Sequence, residues 1–155
     1  KMGDVTVEEA RVELVGRVGE NIQITNVHYA ANDEAFVKVY SHGDKVACAV
    51  FIDVDNEEVG RDVAMHVVAM QPIAVLPEQI PADVVAREKA VFEAQTKDMG
   101  KPEMAERIVA GKLAKYYKEV CLLDQDFVKD TSMTIKAYLA QSNARVFSFM
   151  RVELS

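Results

Sequence analysis

Apolar side chains at Val7, Ala10, Leu14, Val15 and Val18 recur at helical spacing, so the chain opens with a predicted amphipathic helix. Thr6-Val7-Glu8-Glu9 supplies its start, because a threonine hydroxyl can accept an orphan backbone N–H while a glutamate three residues on reaches back to the cap. Gly19, free to take left-handed backbone, supplies its stop. From Glu20 the period changes to alternation, through Ile22 and Ile24, then through Phe36 to Tyr40 and Val46 to Ile52. These segments predict three strands, the last two joined as a hairpin across Ser41-His42-Gly43-Asp44. Asn56 to Met70 returns to helical spacing, with Val59, Val63, His66, Val67 and Met70 on one face and Pro72 as the stop.

Beyond Pro77 and Pro81 two helical patterns follow in succession, Ala82 to Met99 and Pro102 to Val120. Val85, Phe92 and Met99 recur at heptad spacing on the first, and Val109, Leu113, Tyr116 and Val120 form a coiled-coil seam on the second. Only Gly100-Lys101 separates them. A glycine C-cap followed by proline in the next helix's first turn forces a tight reversal, which predicts a projecting antiparallel helical hairpin. The expected remainder is a loop at Asp124 to Asp130 and a short helix from Ser132 to Gln141. A closing strand then turns Val146, Ser148, Met150 and Val152 one way and Phe147, Phe149 and Arg151 the other. A strand that returns after a long helical excursion to join an antiparallel sheet gives an α+β domain with the hairpin added. The predicted organisation is a lead-in helix at 1–19, an α+β core at 20–81 and 121–155, and a hairpin insertion at 82–120.

Composition narrows the function classes. The 155 residues are half apolar and carry 18 Lys+Arg against 25 Asp+Glu, a formal charge of −7 that argues against nucleic acid as a direct partner. The longest apolar runs, Val46 to Ile52 and Val63 to Met70, stop far short of the ~20 residues a bilayer span requires, so no membrane association is expected. The start of the chain has no secretory signal pattern. Cys48 and Cys121 lie far apart in apolar contexts without CxxC spacing, which favours reduced core thiols over a disulfide or a metal site.

A search for catalytic chemistry finds no GxSxG, GxxxxGK[ST], HExxH or GxGxxG, and His28, His42 and His66 share no ligand spacing. No catalytic residue, metal or cofactor is therefore assigned. His66, among apolar neighbours on a helix, reads as a hydrogen-bonded core histidine rather than a base. His42 sits at a turn tip, exposed by Gly43 and Asp44. Glu57-Glu58 reads as a helix N-terminus favouring negative charge, and Asp124/Asp126 as a solvated loop.

Several segments, in order, resemble the elongation factor Ts family: Arg17-Val18-Gly19-Glu20-Asn21-Ile22, Tyr40-Ser41-His42-Gly43, Val63-Ala64-Met65-His66-Val67 with Pro72, and Gly100-Lys101-Pro102 leading into Ala105 to Leu113. Glu119 to Asp130 and the closing Arg151-Val152-Glu153 continue the resemblance. It implies an exchange factor acting on the GTPase elongation factor Tu. It also implies that Val18 and Gly19, at a turn, and His42, at a hairpin tip, contact that partner. The family's Thr-Asp-Phe-Val motif, whose Asp-Phe pair enters the GTPase near its magnesium site, is not among these residues; Asp126-Phe127-Val128 follows Gln125 in a later loop. The chain thus resembles the carboxyl-terminal core subdomain with its coiled-coil hairpin, working in a bacterial cytoplasm or an organellar matrix or stroma. The alternative expectation is a scaffold that forms a homodimer and has no exchange activity of its own.

Overall fold

Thr6 caps the first helix as its sequence requires. Its Oγ1 accepts from the Glu9 N–H at 3.2 Å, and the Glu9 carboxylate accepts from the Thr6 N–H at 2.7 Å. The Thr6 N–H and then the Thr6 hydroxyl, which donates to the same carboxylate at 2.8 Å, hold the Glu9 carboxyl below its ordinary pKa. In this computed structural model, which describes residues 3–25, 27, 33–97 and 104–154, the chain forms two units, 1–31 and 32–155.

In the first unit α1 spans Val7–Val18 and ends where Gly19, at φ 76°, donates its N–H to the Val15 carbonyl at 2.9 Å. Arg11 pairs with Glu8 at 2.6 Å and also donates to the Ile22 carbonyl at 2.9 Å, fastening the segment that follows. That segment is not the strand its alternation predicts. Ile22 and Ile24 have strand spacing, but residues 20–25 find no partner ladder, and alternation without a ladder leaves only irregular chain.

The second unit is built on β1 (Phe36–His42) and β2 (Val46–Ile52), a hairpin in register from Phe36 opposite Ile52 to His42 opposite Val46. The closing strand β5 (Val146–Glu153) pairs antiparallel with the other edge of β2, giving the order β1-β2-β5. The central position explains the unbroken apolar run of β2, whose Cys48, Val50, Phe51 and Ile52 are all buried. The strict alternation expected along β5 fails at one point. Ser148 faces Phe51 and Val146 faces Ile52, so Phe147 is an extra residue, and the bulge puts Val146 on the same core face as Phe149.

Helix α2 (Glu57–Met70), capped by the Asn56 side chain at the Val59 N–H (3.1 Å), lays Val59, Val63, Ala64, His66 and Val67 into this core. Met70, expected on the same face, is 46 % exposed: it ends the helix and lies beyond the core cluster. Gln71, at φ 51°, closes the helix before Pro72.

Helices α3 (Ala82–Lys97) and α4 (Ala105–Val120) pack together. The Phe92 ring meets Tyr116 edge-on at 6.5 Å, and the Lys112 amine reaches Gln95 at 2.6 Å, so the pairing runs antiparallel. The expected reversal at Gly100-Lys101-Pro102, with Met99, lies outside the described residues. At the base, Val84, Val85, Tyr116, Tyr117 and Val120 pack around Ala74, Ile80 and Cys121.

After a 3-10 turn at Leu122–Asp124, the predicted loop and early helix are replaced by a small ladder, β3 (Asp126–Phe127) with β4 (Asp130–Thr134). Helix α5 (Ile135–Gln141) starts later than predicted because Thr134, not Ser132, is its cap, accepting from the Ala137 N–H at 3.2 Å. The fold is α+β, with five α-helices and small antiparallel sheets among the described residues.

Candidate functional site

The two-residue period of a strand puts Lys38, Tyr40 and His42 of β1 on one face. Lys38 is only 12 % exposed in its side chain, with its amine on Asp55 (2.6 Å) and Glu57 (3.1 Å). Hydrogen bonds to Asp55 and then Glu57 raise its pKa. The stem of Lys38 crosses Gly60 so closely that a Cβ there would overlap the Lys38 Cγ and Cβ, which is why α2 carries a glycine at that point.

One step along, Tyr40 packs its ring against the core, and its hydroxyl oxygen lies 3.3 Å from Nδ1 of His42. The two rings are 6.4 Å apart. His42 itself is exposed, and Gly43, at φ 59°, turns the chain directly after it. Tyr40 also lines a groove with Glu58, Arg61 and Met65 of α2 and with Lys129. Arg61 has no ion-pair partner among the described residues, whereas Glu57 is taken by Lys38.

Val18 and Gly19, the other sequence-predicted contact residues, belong to the first unit. Val18 is 52 % exposed at the end of α1. Among the described residues nothing lies within 4 Å of the position a Gly19 Cβ would take; its left-handed backbone, φ 76°, is what favours glycine there. His42 belongs to the second unit, and the residue the structure brings to it is Tyr40. Tyr40 is not among the sequence-predicted contact residues; its spacing two before an exposed turn histidine is the available signal.

His66 is the core histidine its context predicts. Its Nε2 lies 2.9 Å from Gln125 Oε1, and its Nδ1 accepts from the Val128 N–H at 3.2 Å. With Nδ1 accepting, the proton sits on Nε2 and the ring is neutral. Burial pushes its pKa down, against the opposing Gln125 hydrogen bond. Gln125, buried and missed from sequence, also donates to the Glu119 carbonyl at 2.7 Å and the Met70 carbonyl at 3.4 Å. One side chain therefore ties the ends of α2 and α4 to His66. Nearby, Asp62 accepts from Lys129 at 2.8 Å and from the Tyr138 hydroxyl at 3.0 Å. Burial, then Asp62, pushes that hydroxyl up to about 12.

Cys48 and Cys121 are buried free thiols. Desolvation pushes Cys48 up to about 12 and Cys121 up to about 11, the opposite of an activated nucleophile. No group of three or more His, Cys, Asp or Glu among the described residues could hold a metal ion. His28 lies outside the described residues. Among the described residues the exposed groups here are the His42 ring at its glycine turn and the Arg61 guanidinium, and the buried His66 is not among them.

The family model described as Elongation factor TS matches residues 1–155. Elongation factor Ts of Francisella tularensis subsp. novicida (strain U112) is 41 % identical over 148 residues, covering 95 % of this chain and 50 % of the relative. Elongation factor Ts of Alcanivorax borkumensis is 43 % identical over 148 residues, covering 95 % of this chain and 52 % of the relative. The chain spans about half the length of the curated relatives it matches.

Proposed function

The chain belongs to the elongation factor Ts family, and from that premise we propose that it is part of a guanine-nucleotide exchange factor that binds elongation factor Tu and promotes GDP release during translation elongation. The match of the family model to residues 1–155 carries this reading. The exposed Val18-Gly19 turn and the His42 turn support it as separate contact patches. It acts by altering the partner's nucleotide site and not by making or breaking bonds. Its setting is a bacterial cytoplasm or an organellar matrix or stroma, in keeping with the absence, among the described residues, of a helix long and apolar enough to cross a membrane.

Exchange is a coupling between two ligands of the GTPase: a factor that lowers nucleotide affinity has its own affinity lowered equally by nucleotide. The coupling needs an element that fits the nucleotide-free state better than the loaded one. By family resemblance that element is the Asp-Phe pair of a Thr-Asp-Phe-Val motif, which these 155 residues do not contain. They therefore supply binding surface. At saturation they accelerate release of a fluorescent GDP analogue from elongation factor Tu, in stopped flow, far less than a protein that also carries the motif. Equal rates would place the mechanism in the residues described here and overturn the division of labour.

A homodimeric scaffold is the second reading. It is supported by apolar side chains on the sheet face away from α2, where Val37 and Val39 are 51 % and 58 % exposed. Light scattering after size exclusion, with and without the GTPase, separates the two: a stable dimer that ignores the GTPase favours the scaffold.

A further inference from the structure

We infer that Tyr40 is a positioning residue that sets the polarity of His42, so that the turn presents an Nε2–H donor and the partner atom it meets is a hydrogen-bond acceptor, a carbonyl or carboxylate oxygen. The inference deepens the binding role proposed above and rests on it.

Three observations carry it. First, strand geometry puts Tyr40 and His42 on one face, and the phenol oxygen stands 3.3 Å from Nδ1, the ring nitrogen nearer the backbone. Second, the Tyr40 ring is packed against the buried core of the sheet and α2, so the hydroxyl is delivered from a rigid support even though the histidine is exposed. An exposed side chain ordinarily spends its freedom among rotamers; a fixed neighbour removes part of that cost before any partner arrives. Third, no other hydrogen bond to the Tyr40 hydroxyl is present among the described residues, so its proton is available to Nδ1. A neutral imidazole has one donor and one acceptor nitrogen. A phenol proton given to Nδ1 makes that nitrogen the acceptor and leaves the proton of the ring on Nε2, facing away from Tyr40.

The chemistry distinguishes this from a contact in which His42 accepts. A partner donor, such as a lysine or a backbone N–H, would require a bare Nε2 and a proton on Nδ1, which would then have to be donated to the weaker acceptor oxygen of a phenol. The Tyr40 bond selects against that arrangement. His42→Gln places its amide nitrogen where Nε2 stood and keeps the donor. His42→Asn, one carbon shorter, places its amide where Nδ1 stood and loses it.

The test uses the whole 155-residue chain labelled with 15N, its His42 resonances assigned by their loss in His42→Gln. At alkaline pH, where the ring is neutral, long-range 1H–15N spectra should show a protonated Nε2 and a bare Nδ1 in the native chain. Tyr40→Phe keeps the packed ring, removes only the hydroxyl, and should yield a mixture of tautomers. Titration with unlabelled elongation factor Tu, followed by the same spectra, should show Tyr40→Phe weakening binding by roughly 2- to 10-fold, the range of one modest hydrogen bond. His42→Gln should retain affinity within about 3-fold, and His42→Asn should lose as much as His42→Ala. A native ring protonated on Nδ1, or a tautomer ratio unmoved by Tyr40→Phe, overturns the positioning role whatever the binding result. His42→Asn equal to His42→Gln, both weaker than native, overturns the donor assignment. If His42→Ala leaves affinity unchanged, the contact at this turn fails, and with it the docking chemistry; the tautomer spectra still decide separately whether Tyr40 orients the ring.

Discussion

Gln125→Ala should destabilise the second unit far more than an ordinary loss of one amide. The substitution removes the acceptor of the buried His66 Nε2–H, the 2.7 Å donor to the Glu119 carbonyl and the longer 3.4 Å donor to the Met70 carbonyl. An orphaned buried donor costs about 1–3 kcal/mol, and each bond lost at a helix end where water can reach costs about 0.5–1.5 kcal/mol. The 3.4 Å contact sits at the weak end of that range, so the sum is about 3 kcal/mol. Against the ~5–15 kcal/mol that a domain has in total, this is a large fraction. Urea unfolding followed by far-ultraviolet circular dichroism measures it, and the melting temperature should fall by about 6–12 °C at this chain length. The decisive measurement is a cycle with His66→Ala. If the cost comes from an orphaned imidazole N–H, removing both side chains should cost about 1–2 kcal/mol less than the sum of the singles. A Gln125→Ala cost below about 0.5 kcal/mol, or strictly additive costs, would refute the account of Gln125 as a junction.

His66 also makes stability depend on pH in a definite direction. Burial depresses its folded pKa below the ordinary 6.5 of an imidazole, so its contribution is complete above that value. As pH falls below it, the unfolded chain takes up a proton that the folded ring refuses. Stability should therefore drop, by up to about 1.4 kcal/mol per pH unit, until the folded pKa is reached. Unfolding curves between about pH 7 and 5.5 should show this slope in the native chain and lose it in His66→Gln. Gly60→Ala should destabilise by about 1–3 kcal/mol despite alanine's better helix propensity, because the new methyl meets the stem of Lys38 and not its flexible tip. In a Lys38→Gly background, which removes both overlapping atoms, that penalty should disappear, and a persisting one in urea titrations would show that something other than Lys38 occupies the space.

Local signals were legible where the physics is local. The Thr6/Glu9 cap, the Gly19 stop and the Asn56 cap need only residues within a turn of one another, and the β1–β2 hairpin needs only adjacent apolar runs. Ile22 and Ile24 misled because alternation states that a segment could pair, and not that a partner edge is available. The β3–β4 ladder escaped notice for the converse reason: two residues of one strand are too few to show a period. Phe147 illustrates a third limit, since a single bulged residue inverts every face assignment on one side of it. Of the site, the exposed His42 and the glycine turn were visible as turn chemistry. Gln125 was not, because its histidine partner lies 59 positions away and nothing in its own neighbourhood distinguishes a buried glutamine from a loop one.

The placement of the two thiols gives the chain a pair of native stopwatches. Cys48 belongs to the cluster that joins the sheet to α2, and Cys121 to the separate cluster at the base of α3 and α4. Both are sealed in the closed state and held almost entirely as thiols at neutral pH. A disulfide reagent can therefore strike either one only during an excursion that opens its own cluster. The lag before each modification, read by peptide mass, times two different excursions in one unmutated molecule. An order of labelling with Cys121 first would mean that the paired helices loosen at their root while the sheet remains shut, and the ratio of the two rates converts directly into the difference between their opening free energies when reclosure is fast.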